Sequence, residues 1–119
     1  GLTASQNFGG LYNPSGTLLS ATTDHTTAWA GTGLITMPLV TPQVVSAGTY
    51  YTAFLTNGTT APTILRALSV SALAPVVNVG FTAATARWAT SGAGLTSMPS
   101  SVTMSGRTTT GTTWWIGAS

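Results

Sequence analysis

The sequence predicts an all-β protein: a jelly-roll-like antiparallel sandwich of about eight short strands, with no significant helix. Three observations carry this. Short runs rich in Thr, Val, Tyr and Phe recur at intervals of about 8–12 residues. Gly, Pro, Asn and Ser punctuate them, with 14 Gly and 6 Pro in the chain. Helix is disfavoured independently: Lys and Glu are absent, Thr and Ser supply 37 of the 119 residues, and no long segment repeats its apolar positions at a helical period.

The clearest element is a hairpin. Residues 7–12 and 17–22 flank Asn13-Pro14-Ser15-Gly16, where Pro second and Gly fourth suit a type I turn. Residues 23–33 carry Asp24, His25 and Trp29 in a polar setting and read as a loop with one helical turn begun by Asp24. Residues 34–40 read as a strand, with Pro38 marking an edge or a bulge. Residues 49–56 are the strongest strand signal. Tyr51, Ala53 and Leu55 share one side and Tyr50, Thr52 and Phe54 the other. Neither side is polar, which places this strand mid-sheet. Asn57-Gly58 signals a tight hairpin turn into residues 63–73. In residues 76–81 Val77, Val79 and Phe81 share a face. Residues 85–90 contain Arg87 and Trp88, and residues 101–104 read as a short strand. Residues 112–118 close the chain, with Trp114, Ile116 and Ala118 on one face and Trp115 on the other.

A chain of this length is expected to bury about 65% of its unfolded surface, enough for one core without metals or disulfides. Residues 1–119 therefore read as a single β-sandwich domain. The charge inventory is unusual: three Arg (Arg66, Arg87, Arg107), Asp24, His25 and no other ionisable side chain of these types. Charged residues are 3% of the chain, against about 25% in an ordinary soluble domain. Three dispersed arginines can neutralise at most about three phosphates, which argues against nucleic-acid binding. No apolar run reaches the 18 or so residues of a membrane span, so membrane insertion is not expected. No signal-peptide pattern is visible. Cysteine is absent, and its absence fits an exposed protein that folds without oxidation. A mean hydropathy of +0.34 with a net charge of +2 leaves little protection against association.

Three stretches resemble a known family: "FGGLYNPSGTLLSATTDHTTAW", "GLITMPLV" and "AGTYYTAFLTNGTTAP". They are similar to a β-sandwich domain near the C-terminal ends of minor tail proteins of phages that infect actinobacteria. The later "ATARWATSGAGLTSMPSSV" and "TTWWIGAS" fit the same pattern more loosely. The resemblance implies a structural or host-binding module on a virion, an extracellular particle, with no catalytic residues to carry over. It also implies a further strand before "GLTASQNF". That strand is either supplied in trans or belongs to a longer protein of which this chain is a piece.

The inventory argues against catalysis. Paired carboxylates need two acids, and the chain has one. Asp24, His25 and a Ser contain the residue types of a hydrolase triad, but no GxSxG elbow is present and adjacent residues rarely set carboxylate against imidazole. The plain reading is that Asp24 caps a turn and His25 is a loop residue. One His, one Asp and no Cys make a metal site improbable, and no cofactor is expected. Binding chemistry rests on the aromatic residues, Trp29, Trp88, Trp114, Trp115, Tyr12, Tyr50 and Tyr51. Most such rings serve as core or subunit contact. An exposed one can stack on the apolar face of a sugar. The candidate glycan platform is Trp29, Trp88 and Trp115 with Arg87, whose guanidinium can stack or bind an acidic group. Asn57-Gly58-Thr59 matches a glycosylation sequon but reads as a turn.

Strong strand formers without Lys leave open sheet edges, which an oligomer would bury. The expected partners are further copies of the chain, a trimer favoured, within a larger virion assembly, and host cell-envelope glycan. The expected function is a non-enzymatic minor tail or tail-tip domain. A free-standing carbohydrate-binding or adhesin module of a secreted bacterial protein fits the same residues, as does a purely structural capsid-decorating or fibre-forming subunit.

Overall fold

A computed structural model of the chain describes residues 1–69, 77–114 and 116. The class is as expected: strand far outweighs helix, 27% against 8%. The chain divides into two compact units. Residues 1–62 and 93–102 form the first, residues 63–92 and 103–119 the second. Among the described residues the strands make small separate sheets and no closed sandwich.

The first unit is built on the expected hairpin. Strand β1 (Phe8–Tyr12) pairs antiparallel with β2 (Leu18–Ala21), with a register shift at Leu11/Tyr12. The turn closes locally, which explains why it is so legible. Gly16 N–H donates to the Asn13 carbonyl at 3.0 Å, and Asn13 Oδ1 accepts from the amides of Ser15 and Thr17 at 3.1 and 2.9 Å. Strand β3 (Tyr51–Leu55) pairs with the other side of β1, from Phe8 opposite Leu55 to Tyr12 opposite Tyr51. The order β2-β1-β3 makes β3 an edge strand, not the central one its apolar faces suggest. Gly10 lies at the crowded centre: a Cβ there would stand 2.6 Å from Met98 Cε and 3.2 Å from Leu18 Cδ1. Tyr12 is buried, its hydroxyl donates to the Pro99 carbonyl at 2.7 Å, and burial pushes its pKa up.

Three expected strands or turns of this unit take another form. Residues 34–40 keep the alternation, with Ile35, Met37 and Leu39 half-buried, but they pair only through a bridge between Thr22 and Leu39. Pro38 has no N–H to extend a ladder. Residues 101–104 contribute one bridge, Thr17 to Ser101, before the 3-10 turn Met104–Gly106 of the second unit. Asn57-Gly58 makes no hairpin. Gly58 bridges antiparallel to Leu2, Thr3 N–H donates to the Asn57 carbonyl at 2.8 Å, and Thr59 N–H donates to the Gly1 carbonyl at 3.0 Å.

That bridge requires glycine. Gly58 has φ +154°, and a Cβ would collide with the Gly1 carbonyl oxygen and stand 2.6 Å from Leu2 Cα, both of them backbone. Gly58→Ala is expected to cost about 1–3 kcal/mol, the range for backbone strain at such positions. Urea unfolding measures the loss, and hydrogen exchange should show it concentrated at the amides of Thr3 and Thr59.

The second unit has two short antiparallel pairs. Strand β4 (Arg66–Ser69) pairs with β7 (Thr112–Trp114), and β5 (Ala89–Thr90) with β6 (Thr108–Thr109). The expected strand over residues 76–81 is a turn from Val77 onward, with Gly80 at φ +77°, and Val79 is 70% exposed. Asn78-Val79-Gly80 has the composition of a turn, and that local signal wins over the valine alternation.

Candidate functional site

Of the four residues proposed as a glycan platform, one falls in the first unit and two in the second. Trp29 ends the short helix α1 (Thr26–Trp29) in the first unit and is 8% exposed. Its ring meets Phe54 and His25 edge-on, at centroid distances of 6.1 and 6.2 Å. Trp29 is therefore a core residue and offers no face to a ligand. Trp115 lies outside the described residues. Trp88 and Arg87 remain, both in the second unit.

Two further residues missed in the sequence complete the arrangement around them. Asn78 is buried, and its side chain acts as a strand neighbour for Trp88. Its Oδ1 accepts from Trp88 N–H at 3.2 Å, and its Nδ2 donates to the carbonyls of Trp88 and Thr110 at 3.1 and 3.2 Å. Thr110 N–H also donates to the Trp88 carbonyl, at 3.0 Å. These bonds extend the β5/β6 ladder by one residue and hold the Trp88 backbone in place. The Trp88 ring packs on Trp114 at 6.2 Å and 57°, and both rings stay half-buried. In a tilted pair of half-buried tryptophans one ring can stack on a sugar while its mate supports it.

Phe81 is the second addition. Phe81 N–H donates to the Asn78 carbonyl at 2.9 Å, and a Thr82–Thr85 turn leads back through the fully buried Ala86. From inside, Arg107 Nε donates to the carbonyls of Ala83 and Met104 at 3.0 and 3.2 Å, which fixes the loop. The exposed Arg87 guanidinium then lies 4.6 Å from the centroid of the Phe81 ring, which is 37% exposed. Such a contact contributes about 0.5–1 kcal/mol and, more usefully, holds the guanidinium in one place. The Asn78…Gly80 turn signal was the available clue to this loop; nothing local reveals that Asn78 bonds a residue ten positions later.

The charges segregate. All three arginines fall in the second unit, and the one acidic side chain, Asp24, falls in the first. Asp24 plays the capping part expected of it. Its Oδ2 accepts from Thr26 N–H at 3.3 Å, and its Oδ1 from the Thr26 hydroxyl at 2.8 Å and Asn7 N–H at 3.0 Å. No hydrogen bond joins it to the His25 ring, whose Nε2 is buried without a partner. Among the described residues no three His, Cys, Asp or Glu side chains gather as a metal site would require. No helix among them is long and apolar enough to cross a membrane.

Desolvation raises the Asp24 carboxyl, but hydrogen bonds from the Thr26 hydroxyl and the amides of Asn7, Thr26 and Ser5 outweigh it and hold the pKa below the ordinary value. A carboxyl depressed on folding contributes stability above its unfolded pKa of about 4, and that stability is lost as pH falls through the lower folded value. The urea midpoint of the wild type is therefore expected to drop below about pH 4. Asp24→Asn should be less stable at pH 6 and should show a much flatter acid limb.

Comparison with protein-family models, curated proteins and solved structures found no match to this chain.

Proposed function

We propose that this chain is a non-enzymatic structural component of a phage virion, a minor tail or tail-tip domain that contacts host-surface glycans. The observation that supports the contact is the half-exposed Trp88–Trp114 pair, with Trp88 held at its backbone by the buried Asn78. The virion assignment rests on the resemblance of residues 7–58 to tail-protein sandwich domains. In this reading the small sheets belong to a jelly-roll-like sandwich of about eight strands, completed by pairing between copies in a trimer within the tail. The exposed residues Leu34, Val40, Val44 and Val45, with no Lys to guard the β3 edge, favour that assembly. No cofactor and no nucleic acid take part.

A second reading draws on the same aromatic surface: a free-standing carbohydrate-binding or adhesin module of a secreted bacterial protein. A third, a purely structural capsid-decorating or fibre-forming subunit, draws on the exposed apolar segment alone. Light scattering coupled to size exclusion, followed by pull-down on actinobacterial cell envelopes, separates them. The tail-tip reading expects a compact trimer that binds envelopes. A monomer that binds favours the carbohydrate module, and assembly without binding leaves the structural subunit.

A further inference from the structure

The arginine beside Trp88 is unusual in what it lacks. Arg87 is exposed and seated on the Phe81 ring, yet its guanidinium makes no hydrogen bond or ion pair among the described residues. Its planar set of five N–H donors is therefore oriented by the ring and left unmet. The second unit contains Arg66, Arg87 and Arg107 and not one Asp or Glu. A surface of one sign raises the local concentration of the opposite one. Arg107 is spent on the Ala83 and Met104 carbonyls, so its charge supports the loop from within. Arg66 stands opposite Trp114 in the β4/β7 register, which brings a second cation to the partner of Trp88.

We propose that Arg87, stacked on Phe81, is an anion subsite, and that the saccharide recognised by the second unit carries a carboxylate or phosphate group. The proposal rests on the glycan reading above and adds the charge of the ligand. The two halves of the site are carried by consecutive residues. Trp88 offers an apolar ring to a pyranose face, and Arg87 offers a fork that matches a carboxylate or phosphate in bidentate fashion. The stack on Phe81 lowers the entropy the long side chain loses on binding, since the guanidinium is already placed.

The test uses the whole chain and three matched probes: a neutral galactose trimer, a galacturonic acid trimer, and the galactose trimer carrying a 6-phosphate. Affinities are read by calorimetry, and the responding amides by NMR titration. At least one charged trimer is expected to bind about tenfold or more tightly than the neutral one, with a preference that shrinks as salt rises from 20 to 300 mM. Whichever charged trimer binds more tightly identifies a uronic acid or a phosphate ester as the source of the anion. Arg87→Gln should abolish the preference, so that the variant binds the charged trimers no more tightly than it binds the neutral one. Arg87→Lys should retain part of the preference, since it keeps the charge and loses the planar stack. Equal binding of all three trimers, or a preference that survives Arg87→Gln, overturns the anion subsite and leaves the glycan reading in place. Failure of every trimer to bind overturns both. Inorganic phosphate binding as tightly as the phosphorylated trimer overturns the claim that the ligand is a saccharide.

Discussion

Replacing Asn7 by Ala is expected to destabilise the first unit by about 3–5 kcal/mol, the largest polar effect among the described residues. Asn7 is fully buried, and every polar atom it has is used. Nδ2 donates to the Thr3 carbonyl at 2.6 Å and to the Thr26 hydroxyl at 2.8 Å, while Oδ1 accepts from Asn57 N–H at 2.9 Å. Its backbone N–H donates to Asp24 Oδ1 at 3.0 Å, and its carbonyl accepts from His25 N–H at 2.7 Å. The side chain thus ties the N-terminal segment, the α1 turn and the end of β3 into one network. Alanine strands the Asn57 amide without a partner, at about 1–3 kcal/mol, leaves the Thr3 carbonyl only its longer bond from the Thr26 hydroxyl at 3.3 Å, and opens a cavity besides. Asn7→Asp should be at least as damaging at neutral pH, because it removes both donors and buries a charge near Asp24. Its deficit should shrink as pH falls and the new carboxyl takes up a proton, which regains one donor. Urea unfolding at pH 7 and pH 4 reads both effects.

Trp29→Ala is expected to cost a similar amount, about 3–5 kcal/mol, by emptying the space between His25 and Phe54. The same measurement decides the role of the ring. A glycan platform on the surface would lose binding with little loss of stability, whereas a core tryptophan loses stability first. At 8% exposure Trp29 belongs to the second case. Calorimetric or urea unfolding should show the large drop, and a change below about 1 kcal/mol would return Trp29 to the surface.

The contrast between these two residues shows what sequence can and cannot carry. The hairpin over residues 7–22 was legible because its turn chemistry is local: Asn13 bonds residues two and four positions on. The capping role of Asp24 was legible for the same reason, since it bonds Thr26. Asn7 was not, because its side-chain partners lie 4, 19 and 50 residues away and nothing near position 7 announces them. Aromatic enrichment marked Trp29 and Trp88 alike, since composition does not distinguish a ring turned to the core from one left half-buried. The alternation in residues 34–40 was real, yet alternation reports an extended chain and not a ladder, and Pro38 together with a lone bridge left it unpaired along most of its length. Over residues 77–81 alternating valines overrode a turn signal that the fold obeys.

Trp88 in the second unit is the proposed contact to the host surface. The direct test is the affinity of wild type and Trp88→Ala for actinobacterial cell envelopes, with urea unfolding run on the same samples. Asn78 holds the Trp88 backbone, which the substitution keeps, so the variant should fold, with a stability loss below about 2 kcal/mol for a half-buried side chain. Its envelope affinity should fall about tenfold or more, as expected when a stacking tryptophan is truncated. A folded Trp88→Ala chain that binds envelopes as tightly as the wild type would contradict the claim.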